Sequence, residues 1–173
     1  MDFPHSRDAF APSHLSGAPG AVLEAPAGPG LTVLLTGVAS DSHTWNLVFR
    51  ELLVTELGHR VVNLGPCVPP ELLVRTCRQT RPDLIVMSSV NGHGLRDGIR
   101  AMEAVRRCPE LAGIPAIIGG KLGIAGLTDR AHIRQLLEAG FDAVFEDADG
   151  VQPLDSFLAG LTDRLAPACI EAS

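Results

Sequence analysis

The sequence predicts an α/β fold: a doubly wound sheet of five parallel strands with helices on both faces. Two patterns and a length point to it. Short aliphatic runs alternate with longer segments whose apolar residues recur every three or four positions. The third such run is apolar throughout, as in a strand covered on both sides. The 173 residues suit one domain of ordinary size.

Residues 1–29 are rich in Pro, Gly, Ala and Ser and carry no period of 2 or 3.6. They read as a flexible tail, leaving 30–173 as the ordered domain. Residues 31–36 form a first strand, β-branched and aliphatic. Trp45, Val48, Phe49, Leu52, Leu53 and Leu57 follow at helical spacing, and Gly58 offers a stop. Residues 60–64 read as the second strand. Pro70 can open the next helix at its first position, where a missing N–H costs nothing. Its apolar side is Leu72, Leu73 and Val74, and it ends before Pro82. Residues 84–87 make the third strand, and 95–107 a helix with Ile99, Met102 and Val105 turned inward. Residues 115–118 form the fourth strand. Thr128 can cap a helix carrying Ile133, Leu136 and Leu137, stopped by Gly140. Residues 143–145 are the fifth strand, and Leu154, Phe157, Leu158, Leu161 and Leu165 mark the last helix.

Right-handed crossovers leave few topologies for five such units. The flavodoxin-like strand order 2-1-3-4-5 is the expected one. In that arrangement a ligand binds beyond the carboxyl ends of the strands, at the switch between strands 1 and 3.

Composition removes several function classes. The formal charge is −6, and 4% of residues are aromatic, six Phe and one Trp with no Tyr. An acidic chain so poor in stacking side chains does not fit a nucleic-acid binder. No apolar run approaches the about 18 residues that cross a bilayer. The N-terminal stretch lacks the basic-then-apolar layout of a secretory signal, so a cytoplasmic location is expected. Cys67, Cys77, Cys108 and Cys169 show no Cys-x-x-Cys spacing and read as free thiols in a reducing compartment.

Three segments converge on the strand ends: Gly37 to Asn46 after strand 1, Ser88 to Gly94 after strand 3, and Gly119-Gly120-Lys121 after strand 4. His43 can turn a ring nitrogen toward a ligand while Asp41, two residues earlier, accepts from the other nitrogen. Such a pair also occurs in ordinary solvated turns. Ser88 and Ser89 can donate to a ligand or bond to nearby backbone. Gly119-Gly120 admits a bulky group or makes a plain turn. Neither a Gly-x-Gly-x-x-Gly fingerprint nor a P-loop is present.

Taken together, the three segments resemble the cobalamin-binding domain, whose motif is Asp-x-His-x-x-Gly, then Ser-x-Leu, then Gly-Gly. The order and spacing are most similar to the small, cofactor-carrying subunits of glutamate (methylaspartate) mutases. The resemblance also includes Val62-Asn63-Leu64-Gly65 and Pro70-Glu71-Leu72, and it covers roughly residues 31–165. Two positions depart from the motif: Asn46 stands for its closing Gly, and Val90 for its Leu. Glu146, Asp147 and Asp149 make the last strand's end more acidic than the family's.

The resemblance implies a corrinoid whose dimethylbenzimidazole has left cobalt. His43 would be the lower axial cobalt ligand and Asp41 its hydrogen-bond partner. Ser88 would bond to the buried base, with Ser89 and Val90 lining the slot. Gly119 and Gly120 would make room for the nucleotide tail, bordered by Thr44, Trp45 and Asn46. Ser42, Asn91 and Gly92 complete the expected contacts. The implied cofactor is adenosylcobalamin, and the implied reaction is a radical carbon-skeleton rearrangement of the glutamate-to-3-methylaspartate type. A separate, larger barrel subunit would hold the substrate, so this chain alone would not be a complete enzyme.

Other readings rest on specific residues. A corrinoid methyl carrier is expected to have a helical cap domain, which a short Pro/Gly-rich tail does not provide. A signalling receiver needs an Asp at the end of strand 3 and a Lys near the end of strand 5; here stand Ser88 and, beyond Phe145, Glu146 and Asp147. A flavin carrier wants a phosphate-cradling loop where Asp41 would repel the phosphate. A non-catalytic cobalamin-sensing module stays open.

Overall fold

Strands and helices follow one another in the computed structural model as the periodicities predict. The structure describes residues 30–123, 130–146 and 152–165. The elements are β1 (Thr32–Gly37), α1 (Trp45–Glu56), β2 (Arg60–Asn63), α2 (Pro70–Thr80), β3 (Leu84–Ser89) and α3 (Gly94–Arg106). A short 3₁₀ turn (Pro109–Leu111) precedes β4 (Ala116–Gly120), α4 (Arg130–Glu138), β5 (Ala143–Glu146) and α5 (Gln152–Leu165). All pairings are parallel, in the order β2-β1-β3-β4-β5. The expected tail, the Thr128 cap and Asp147 to Asp149 lie outside the described residues.

Period two sorts the strand side chains between two cores. Leu34, Ile85, Met87, Ala116 and Ile118 pack with Leu73, Met102, Val105 and Leu136 under α2, α3 and α4. Val33, Leu35, Leu84, Val86 and Ile117 pack with Leu47, Val54, Leu154, Leu158 and Leu161 under α1 and α5. Burying a side chain of this size is worth about 1.5–3 kcal/mol. The central strand β3 is buried at all six positions. Gly58 and Gly140 end α1 and α4 at φ 83° and 109°, backbone that side-chain-bearing residues rarely adopt.

Two boundaries differ from the expectation. Strand β3 continues through Ser88-Ser89 and β4 through Gly119-Gly120, so these residues lie within the sheet and not in loops beyond it. Ladder pairing with neighbours outweighs their poor strand propensity. Helix α1 departs more. Leu47 and Val54 are its buried residues, with Leu53 and Leu57 packed alongside. Trp45, Val48, Phe49 and Leu52 form a second apolar stripe that remains exposed, Trp45 at 83%.

Candidate functional site

The carboxyl edge of β1 and β3 is held by one buried carboxylate. Asp41 is 1% exposed. Its Oδ2 accepts the backbone N–H of Val90 at 2.6 Å and of Asn91 at 3.3 Å. Its Oδ1 accepts the N–H of His43 at 3.1 Å and faces His43 Nδ1 at 2.7 Å. Burial alone would raise this carboxyl's pKa. The bonds from Val90, from the His43 backbone and ring, and from Asn91 outweigh it and hold the group below the usual carboxylate range. Asp41 is therefore an anion that fastens the loop after β1 to the loop after β3.

That anion fixes the imidazole. A carboxylate only accepts, so Nδ1 carries the proton, and in the neutral ring Nε2 is the nitrogen left with a lone pair. The His43 side chain is 61% exposed. One end of the ring is held by the carboxylate, and the ring projects from the rim.

Asn91 braces the same corner. Its Nδ2 donates to Ser40 O at 2.8 Å, and its Oδ1 accepts from His93 N–H at 2.9 Å and Ser89 Oγ at 3.2 Å. Buried Asp97 of α3 accepts the Ser40 N–H at 3.2 Å. Burial would raise the Asp97 carboxyl, but its bonds from Ser40 and Arg96 bring it below the usual value.

The two serines face opposite sides of β3. Ser88, fully buried, points to the α1 face, where Asn46 Nδ2 donates to its Oγ at 2.7 Å and Arg50 Nε at 3.2 Å. Ser89 lies against α3, where a side chain on Gly94 would collide with it at 2.9 Å. Ser88, expected to bond to the base, and Ser89, expected to line the slot with Val90, therefore do not share one face of the sheet. Gly119 pairs with Ser88 in register. A Cβ on it would stand 3.4 Å from Phe145 O and 3.8 Å from Arg50 Nη2. The bare glycine thus deepens the sheet floor beside Ser88.

The structure brings together Asp41, His43, Val90 and Asn91 at one corner, and Asn46, Ser88 and Gly119 at the next. Ser42, Thr44 and Trp45 are exposed on the rim between them. Thr44 caps α1 through its carbonyl, which accepts the N–H groups of Leu47 and Val48. Sequence reasoning did not single out Arg50 or Asp97. Arg50 lies four residues after Asn46, the spacing that sets two polar groups on one helix face.

A parallel sheet with a carboxylate-held histidine and a hydroxyl–glycine floor at its switch point defines a ligand-binding α/β module. The model of the B12 binding domain family matches residues 31–154. The chain belongs to that family. It is 29% identical to the glutamate mutase sigma subunit of Clostridium cochlearium, over 70% of this chain and 87% of that one. It is 31% identical to the HTH-type transcriptional repressor CarA of Myxococcus xanthus, over 69% of this chain but 38% of the repressor. A cobalamin-binding protein from Desulfitobacterium hafniense superposes with a TM-score of 0.59 at 20% identity, covering 74% of this chain and 59% of its own, a likeness of fold. No helix among the described residues is long and apolar enough to cross a membrane.

The residues present suit a corrinoid. A projecting imidazole held by a carboxylate has the chemistry of a metal donor. Gly119 puts no side chain on the sheet beside the buried Ser88 hydroxyl.

Proposed function

We propose that this chain is the cobalamin-holding subunit of an adenosylcobalamin-dependent carbon-skeleton mutase, of the type that converts glutamate to 3-methylaspartate. It works in the cytoplasm with a larger barrel subunit that binds the substrate. The observation that carries this reading is the 2.7 Å contact between His43 Nδ1 and the buried Asp41 carboxylate. Kinship with the sigma subunits supports the mutase type.

His43 Nε2 would hold the cobalt, with Asp41 keeping the ring in one tautomer and strengthening it as a donor. Ser88 and the Gly119–Gly120 strand end would receive the nucleotide tail. Val90 and Asn91, fixed by Asp41, hold the loop beside it, with Ser42, Thr44 and Gly92 on the rim. When bound, adenosylcobalamin supplies the radical that begins the rearrangement. The chain's own work is to bind, orient and hold the cofactor from the side away from the substrate.

Titration of the purified chain with cobalamin, followed by absorbance and electron spin resonance, tests this. Binding with an imidazole nitrogen on cobalt is expected, and His43→Ala should lose that nitrogen signal while the fold persists. Benzimidazole still on cobalt in the wild type contradicts the reading. Mixing with candidate barrel subunits should yield glutamate to 3-methylaspartate conversion. The likeness to CarA favours a second reading, a cobalamin-sensing module. Tight binding with no activity from any barrel subunit selects it.

A further inference from the structure

The side chain that reaches Ser88 from α1 carries an unpaired polar atom. Asn46 Nδ2 and Arg50 Nε both donate to Ser88 Oγ, which takes up that oxygen's lone pairs and leaves its O–H proton to be placed. The other end of the amide, Asn46 Oδ1, is buried and has no hydrogen-bond partner. Buried carbonyl oxygens in folded proteins are nearly always paired, because leaving one unpaired costs the full desolvation of the group. Asn46 stands where the family's motif has Gly, a residue that offers neither donor nor acceptor from a side chain. A hydroxyl and an amide with a spare acceptor therefore stand together where the family motif has a hydroxyl alone.

We infer that Asn46 selects the lower base of the corrinoid, favouring a purine such as adenine over dimethylbenzimidazole. The inference rests on the reading of this chain as corrinoid-holding. Once off the metal, a benzimidazole offers one ring nitrogen as acceptor and no N–H donor. It satisfies the Ser88 hydroxyl and leaves Asn46 Oδ1 as it was. Adenine carries a ring-nitrogen acceptor with an amino donor beside it. The Asn46 amide matches that pair with the N–H that Ser88 does not engage donating to the ring nitrogen and the C=O accepting from the amino group. Adenine thus pairs the orphaned oxygen, and benzimidazole cannot. A site built around a donor–acceptor pair rejects a ligand lacking one partner more strongly than a bare apolar slot does.

The test is a titration of the full-length chain with cobalamin and with the cobamide that carries adenine in place of dimethylbenzimidazole, each followed by cobalt absorbance. The adenine form should bind about 10-fold more tightly or better, the discrimination a two-bond amide pair supplies. Asn46→Gly should abolish the preference, strengthening cobalamin binding and weakening that of the adenine form. Asn46→Asp keeps the size, suits the first turn of a helix and keeps an acceptor while losing the donor, so it should retain part of the preference. Equal or weaker adenine-form binding by the wild type, with the imidazole–cobalt signal intact for both, overturns the inference and leaves the proposed function standing. Binding of neither corrinoid overturns both.

Discussion

Two arginines that are not fully exposed serve opposite edges of the sheet, and they serve it differently. Arg106, near the end of α3, donates to the carbonyls of Gly140 at 2.6 Å, Ile114 at 2.8 Å, Ala112 at 2.9 Å and Leu111 at 3.3 Å. These are main-chain acceptors at turns, and binding them ties α3, the turn before β4 and the end of α4 together. Arg50, on α1, donates to a side-chain hydroxyl at the carboxyl edge and stands over a glycine gap. A guanidinium spent on backbone carbonyls builds the fold. One set on a buried hydroxyl at the ligand edge holds a partner that a ligand can also address. Arg106 thus serves main-chain carbonyls at the amino edge, whereas Arg50 serves a side-chain hydroxyl at the carboxyl edge.

Arg106→Ala should sharpen this contrast most. It strips charged bonds from four carbonyls, each worth about 1.5–3 kcal/mol when fully desolvated. Partial exposure and water that replaces the guanidinium reduce the sum, so a loss of about 3 kcal/mol in urea unfolding is expected. Corrinoid affinity of the folded fraction should stay within about 2-fold. If affinity falls along with stability, the two edges are not independent and the division fails.

Asp41 bridges the comparison, since it is both a structural anchor and the partner of His43. Asp41→Asn replaces an anion that accepts three backbone N–H groups by an amide that can accept at one oxygen only. A loss of about 2 kcal/mol is expected, with corrinoid affinity down about 10- to 100-fold. The pH dependence separates the charge from the shape. The folded carboxyl lies below its unfolded value of about 3.9, so the unfolded chain takes up the proton first. Asp41's contribution is complete above the unfolded pKa and is lost as pH falls through the folded one. The stability gap between wild type and Asp41→Asn should therefore narrow on going from pH 6 to below pH 4. A gap constant with pH would mean that the anion contributes nothing beyond its shape.

The same contrast explains what the sequence made legible. Strand order and element sequence followed from fully apolar strands and three-to-four spacing, because burial on both faces leaves a compositional mark. Asp41 and His43 were legible because an acceptor two residues from an imidazole suffices to hold the ring. The fate of α1 was not. Leu47 and Val54 on one side and Trp45, Val48, Phe49 and Leu52 on the other all fit a helix, and no periodicity says which stripe meets the sheet. The Asn46–Ser88–Arg50 network was hidden for another reason. It joins residues more than 35 positions apart, through a strand end that Ser and Gly composition disguised as a loop.

Gly119→Ala gives the smallest effect on stability and the sharpest test of the carboxyl edge. The added methyl would stand 3.4 Å from Phe145 O and 3.5 Å from Phe145 Cβ, ordinary contact distances. Strand backbone accepts Ala, and replacing Gly restricts the unfolded chain, so stability should change by less than about 1 kcal/mol. The methyl nevertheless occupies the floor beside Ser88, where the nucleotide tail is proposed to lie. Corrinoid affinity should fall by about 10-fold or more in a protein whose unfolding curve scarcely moves. Gly98 supplies the counterpart on the other core: a Cβ there would meet Ile118 Cδ1 at 2.7 Å, so Gly98→Ala should cost about 1–3 kcal/mol by overpacking and leave binding alone. Two identical substitutions then fall on opposite axes. If Gly119→Ala binds as well as wild type, the floor beside Ser88 is not where the tail rests, and Gly119 belongs with Arg106 among the groups that serve only the fold.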